Sequence, residues 1–122
     1  MVISTSSHNM QLSDDICDYV EVTFRKEFSA VAEHVVSVDA RLEAIPDVRD
    51  RNHMKVVVRV DLHNNPGVVT EIRDNNLYAA VRRGARDSAR CVDRQLQHSR
   101  RVTGNRLPGK FHAFGRFPAP NV

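Results

Sequence analysis

Tryptophan is absent from this chain and aromatic residues make up only 6% of it, so it has few rings from which to build a stacking surface. No apolar run approaches the roughly 20 residues that a membrane-spanning helix needs. The opening Met1-Val2-Ile3-Ser4-Thr5 reads as a strand, where an export signal would show basic residues and then an apolar stretch. These absences predict a cytoplasmic protein with no membrane partner. Cysteine is scarce too. Cys17 and Cys91 both fall in helical patterns outside any metal-ligand spacing, and are expected to be reduced packing thiols. The six histidines never share one helix face at i, i+4 with another ligand and never alternate as a strand pair, so no metal site is expected. No glycine-rich loop follows a strand, and Asp14 and Asp15 have sufficient reason to exist as helix-start charges. The chain is therefore expected to catalyse no reaction, and to use no cofactor and no small-molecule substrate. At 122 residues it can bury one core, not two.

What is present is charge, unevenly placed. Residues 1–75 hold 8 Lys/Arg against 13 Asp/Glu, a net of −5, and residues 76–122 hold 10 against 2, a net of +8; the two halves restore the overall +3. Separation of sign within one small domain points to an acidic partner met by the basic part.

The periodicity gives the order β-α-β-β-β-α. Val2 to Thr5 reads as a first strand. Ser13 is placed to cap a first helix that has two carboxylates in its first turn and buries Ile16, Val20, Phe24 and Phe28; it should end near Ser29. From His34 to Ala44 the period is two, with Val36, Val38, Ala40, Leu42 and Ala44 on one face. Residues 45–53 form a charged loop, after which Met54, Val56, Val58, Val60 and Leu62 again point one way. Asn64-Asn65-Pro66-Gly67 signals a turn into a fourth strand, Val68 to Arg73. Asp74 or Asn75 can cap a second helix from about Asn76 to Arg101, roughly 39 Å long at 1.5 Å per residue. A sheet apolar on one face needs a cover. The fold class is therefore α+β, a four-stranded sheet with two helices packed on one face, as in double-stranded-RNA-binding domains. The domain should span residues 1–102, with 103–122, rich in glycine and proline, as a flexible tail.

The second helix carries the chemistry. At about 100° per residue, Arg82, Arg83, Arg86, Arg90, Arg94, Arg100 and Arg101 all fall within an arc of about 120°, while Leu77, Val81, Ala85, Ser88, Val92 and Leu96 cluster on the other side. Charged helix positions are ordinarily just a solvated face. Such a face usually mixes Glu with Lys at i, i+4, whereas here only Asp87 and Asp93 interrupt the series. Arginine's planar fork takes phosphate bidentately, and no set of amide side chains is present to read base edges. The pattern favours recognition of folded RNA by shape and backbone. Tyr78, at the start of this helix, reads as a core or rim residue, with base stacking as the alternative.

Three segments carry a family resemblance: Ser13-Asp14-Asp15-Ile16-Cys17-Asp18-Tyr19-Val20-Glu21, Asp74-Asn75-Asn76-Leu77-Tyr78-Ala79-Ala80-Val81, and Arg94-Gln95-Leu96. Over about residues 1–102 the chain resembles the ribosome hibernation-promoting factors and ribosome-associated inhibitors, also known as sigma-54 modulation proteins, in their short form. The resemblance implies binding to the small ribosomal subunit, in the channel between head and body that holds messenger and transfer RNA. Idle ribosomes would thereby be kept intact and inactive under stress or in stationary phase. It assigns ribosomal RNA contacts to Arg82, Arg83, Arg86, Arg90, Arg94, Arg100 and Arg101, and more loosely to Arg25 and Lys26. Arg82 and Cys91 depart from the family's usual acidic residue and lysine. The isolated protein is expected to be monomeric. Two other readings stay open from the residues: a regulatory protein-interaction module and a general double-stranded-RNA binder. In the tail, Phe111, Phe114 and Phe117 recur every three residues among Lys110, His112 and Arg116, either as a disordered extension or as a docking segment.

Overall fold

The computed structural model describes residues 1–46 and 52–105, with the side chains of Asn52 and of residues 99–105 left aside. The expected tail from residue 106 onward lies outside the described residues, as do residues 47–51 of the expected 45–53 loop, whose ends instead pair as the close of the second strand and the start of the third. The elements are β1 (Val2–His8), α1 (Asp14–Glu27), a short 3-10 segment (Ser29–His34), β2 (Val35–Pro46), β3 (Asn52–Leu62), β4 (Asn65–Asp74) and α2 (Leu77–Asn105). This is the α+β order read from the periodicity.

The four strands lie side by side in chain order, β1 parallel to β2 and the other neighbours antiparallel. A parallel pair needs a crossover, and α1 with the 3-10 segment provides it. Both helices lie on one face. α2 packs over β3 and β4, and α1 packs against β1 and α2. Between them Val38, Ala40, Leu42, Val56, Val58 and Val60 of the sheet meet Val20, Phe24 and Phe28 from α1 and its cap and Ala80, Val81, Ala85 and Val92 from α2, all fully buried. Each large apolar side chain buried there stabilises the fold by about 1.5–3 kcal/mol. Cys17 and Cys91 are half-buried free thiols.

α2 lies close to the sheet because residue 84 is glycine. A Cβ there would stand 3.3 Å from Val56 Cγ1 and 3.4 Å from Val58 Cγ2. Ser88, one turn on, is fully buried, and its hydroxyl donates to the Gly84 carbonyl at 2.6 Å.

The structure corrects four local expectations. Val36 was expected inside but is 42% exposed, while Val35 is buried. The β2–β3 register shifts between Val35 and Ser37, and a bulge there reverses the phase of alternation before the regular pattern resumes at Val38. The hairpin turn is the pair His63-Asn64, two residues ahead of the Asn65-Pro66 centre that the sequence signal suggests. Asn64 takes the left-handed conformation at φ 57°, Leu62 pairs with Asn65, and Pro66 and Gly67 belong to β4. The cap of α2 is Asn76, whose Oδ1 accepts from the Ala79 amide at 3.0 Å. Asp74 is still paired to Met54 in β4, so its carboxylate instead accepts from the Asn76 amide at 3.1 Å. α2 also continues through Gly104 to Asn105, four residues beyond the expected end.

Candidate nucleic-acid interface

The side of α2 that faces away from the sheet is set by what its inner side must bury. Ala80, Val81, Ala85, Ser88, Val92 and Leu96 are buried, and the rotation that buries them turns Arg82, Arg83, Arg86, Arg90 and Arg94 outward, where all five are exposed. Arg100 and Arg101 continue α2, but their side chains are outside the described residues.

The two arginines at the start of this face are tied down, one on each side of it, and those further along α2 are not. On one margin Arg82 Nη1 lies 3.4 Å from the Tyr19 hydroxyl of α1, a long contact to which it donates. On the other, Arg83 Nη1 donates to Asp74 Oδ2 at 3.0 Å and to the Arg73 carbonyl at 3.2 Å, bracing α2 against the end of β4. The Asn76 amide and the Arg83 guanidinium hold the Asp74 carboxyl below its ordinary aspartate range. Further along the helix, Arg86 has no hydrogen-bond or ion-pair partner among the described residues. Arg90 stands 3.8 Å from Asp87, an exposed pair of small energetic weight. Arg94 Nη2 lies 3.7 Å from Cys91 Sγ, a weak contact. Asp93, which falls within the arc, accepts from Gln97 Nε2 at 3.1 Å, one turn further on. Arg86, Arg90 and Arg94 follow one another at i, i+4, so three guanidinium groups succeed each other at about 6 Å per step along the helix.

Arg25 and Lys26 are exposed in the last turn of α1. Arg25 is paired with Glu21 one turn earlier, and no described contact joins either residue to the arginines of α2. At 1.5 Å per residue they lie roughly 9–11 Å along α1 beyond Tyr19. They are a separate basic spot on the neighbouring helix, not part of the stripe.

Two features escaped the periodicity. One is the Asp74–Arg83 brace, whose partners are nine residues apart across a strand-to-helix junction and follow no helical spacing. The other is an aromatic pair: the rings of Tyr19 and Tyr78 meet edge to face, centroids 4.8 Å apart at 80°. Each tyrosine flanks its helix's apolar stripe, but nothing local to either helix says that they touch.

The outer face of the sheet is different in kind. Asp39, Arg41, Glu43, Lys55, Arg59, Asp61, Glu71 and Arg73 occupy it in cross-strand neighbourhoods of mixed sign. Ser4 and Ser37 hydroxyls donate to Asp39 and Asp61 at 3.1 and 3.2 Å. That face carries balanced charge; the arginine face of α2 does not. Among the described residues no helix is long and apolar enough to cross a membrane.

A search of curated proteins returns no match. Among solved structures, the chain is similar to the N-terminal domain of Thermus thermophilus Protein Y, at 24% identity and a TM-score of 0.63, covering 77% of this chain and 98% of that one. It is also similar to a ribosomal subunit interface protein from Coxiella burnetii, at 10% identity and a TM-score of 0.64, covering 82% of this chain and 99% of that one. At these identities the two likenesses establish the fold. Membership is established by the sequence itself: residues 3–101 match the model of one family over most of the chain, and the protein belongs to the Sigma 54 modulation protein / S30EA ribosomal protein family.

Proposed function

We propose that this protein is a ribosome-associated hibernation factor. On this reading the arginine face of α2 lies on ribosomal RNA of the small subunit, in the channel between head and body, and idle ribosomes are kept inactive. The observation that carries it is the row Arg82, Arg83, Arg86, Arg90 and Arg94, exposed on one face of α2 directly behind its packing stripe. Guanidinium groups that outnumber the acidic side chains on one helix repel one another, and a polyanion relieves that repulsion while gaining bidentate contacts. Family membership and the likeness to a protein described as a subunit interface protein support the ribosome as the source of that polyanion. Arg100 and Arg101 extend the row on the proposed reading, and Arg25 and Lys26 add contacts from α1. The binding unit is residues 1–102, the protein works in the cytoplasm as a monomer, and it catalyses nothing.

The test is cosedimentation with small ribosomal subunits across a salt series. The wild-type chain should bind, with affinity falling steeply with salt, as expected for roughly five to seven neutralised phosphates. Arg86→Glu/Arg90→Glu/Arg94→Glu should abolish binding while leaving the circular-dichroism spectrum unchanged. Excess duplex RNA should compete poorly; efficient competition would replace this reading with general double-stranded-RNA binding. Absence of the wild-type protein from the ribosomal pellet at low salt would overturn it altogether.

A further inference from the structure

Tyr78 is an aromatic ring that the core does not enclose. Of the four aromatic residues among the described side chains, Phe24 and Phe28 are fully buried and Tyr19 packs against the core, while Tyr78 is 43% exposed and is not among the side chains packed there. Leu77 beside it does the packing at this end of α2. Exposure alone would be unremarked, but the ring is not loose. Tyr19 meets it edge to face, and Tyr19 is itself held by the core beneath and by the Arg82 guanidinium at its hydroxyl. An edge-to-face partner favours one tilt of a ring and can itself cover at most one of its faces.

The ring's place along the helix matters as much as its exposure. Tyr78, Arg82 and Arg86 succeed one another at i, i+4 and i+8, so the tyrosine begins the same ridge that the free arginine Arg86 continues. A polyanion following that ridge passes from guanidinium groups onto an oriented aromatic face. Phosphates need the first and have no use for the second. A base out of its stack needs the second.

We propose that Tyr78, positioned by Tyr19, is a stacking platform for one unstacked base of the ribosomal RNA, with Arg82 and Arg86 on the flanking backbone. This rests on the ribosome-binding reading and deepens it: the arginines supply charge, and the tyrosine selects a place where a base is splayed out. It gives the interface a component that salt does not screen.

Tyr78→Ala, Tyr78→Leu and Tyr78→Phe in the full chain separate a stacking ring from a merely apolar one. Binding to purified small ribosomal subunits is measured at several salt concentrations, with thermal unfolding as the check on folding. Tyr78→Phe should keep wild-type affinity. Tyr78→Ala and Tyr78→Leu should each lose about tenfold or more, with the slope of log affinity against log salt unchanged, whereas Arg86→Ala should lower that slope by about one. Chemical probing of base reactivity should show a nucleotide altered by the wild-type and Tyr78→Phe proteins and left unaltered by Tyr78→Ala. Wild-type affinity in Tyr78→Ala, or full retention in Tyr78→Leu, would overturn the stacking platform and leave the ribosome reading standing. Failure of the wild-type chain itself to bind would overturn the ribosome reading instead.

Discussion

α1 and α2 cover the same face of the same sheet, yet their outer sides obey different rules. Inside, α1 contributes Val20 and Phe24, and α2 contributes Ala80, Val81, Ala85 and Val92, to one buried core over the sheet. Outside, α1 is net acidic, with five acidic residues against two basic, and sorts its charges by position: Asp14 and Asp15 sit in its first turn, Arg25 and Lys26 in its last, and Glu21 pairs with Arg25. That arrangement complements the helix dipole and stabilises the helix by itself. α2 places arginines along its whole length and has no acidic residue in its first turn. A helix that served only the fold would look like α1. The excess on α2 is a cost in self-repulsion that the core has to offset, and a ligand of opposite charge explains why it is kept.

The comparison can be broken first from the inside. If the two helices are equal partners in the core, truncating either should destabilise. Phe24→Ala should cost about 3–5 kcal/mol and Val81→Ala about 2 kcal/mol in urea unfolding. A Val81→Ala protein of unchanged stability would mean that α2 does not depend on its packing stripe. The outer sides should then part company. Arg86→Gln/Arg90→Gln should reduce ribosome affinity by about tenfold or more and the salt slope by about two, whereas Arg25→Gln/Lys26→Gln should lower the slope by about one or less. Equal losses from the two pairs would erase the distinction between the two helices.

The helix starts provide a finer comparison. Ser13 accepts from the Ile16 amide at 3.2 Å and Asn76 from Ala79 at 3.0 Å, so Ser13→Ala and Asn76→Ala should each destabilise by about 1 kcal/mol in the same assay. The smallest difference concerns acid. Asp74 is held below its ordinary value of 3.8 by the Asn76 amide and Arg83, so the folded state binds this proton less readily than the unfolded chain does. Its stabilising contribution is complete above that ordinary value and is lost as pH falls through the lowered folded value. Asp74→Asn should flatten the acid limb of a melting-temperature profile below about pH 4, and Arg83→Ala should flatten it in part. An acid limb identical to wild type in both variants would remove the brace at this junction.

Much of this was legible before the fold was known because it follows from period. Alternation at Val38, Ala40 and Leu42 and again at Val56, Val58 and Val60 places those residues in the core, and 3.6-residue spacing opposes the arginine arc to the apolar stripe. Period fails where a local irregularity overrides it. The bulge at Val35–Ser37 turned Val36 out, and the His63-Asn64 turn displaced the proline–glycine signal into a strand. The cap of α2 moved to Asn76 because β4 kept Asp74.

The arginine face was decided by sequence alone, since a helix that buries Val81, Ala85 and Val92 has no choice but to turn Arg82, Arg86 and Arg90 outward. Which of those arginines is tethered was not. Only the packing of α1 beside α2 brings Tyr19 to Tyr78 and Arg82, and only the junction with β4 brings Asp74 to Arg83. Spacing within one element sets the direction of a side chain, but the partner it meets depends on how separate elements are laid against each other, and that is a property of the tertiary fold.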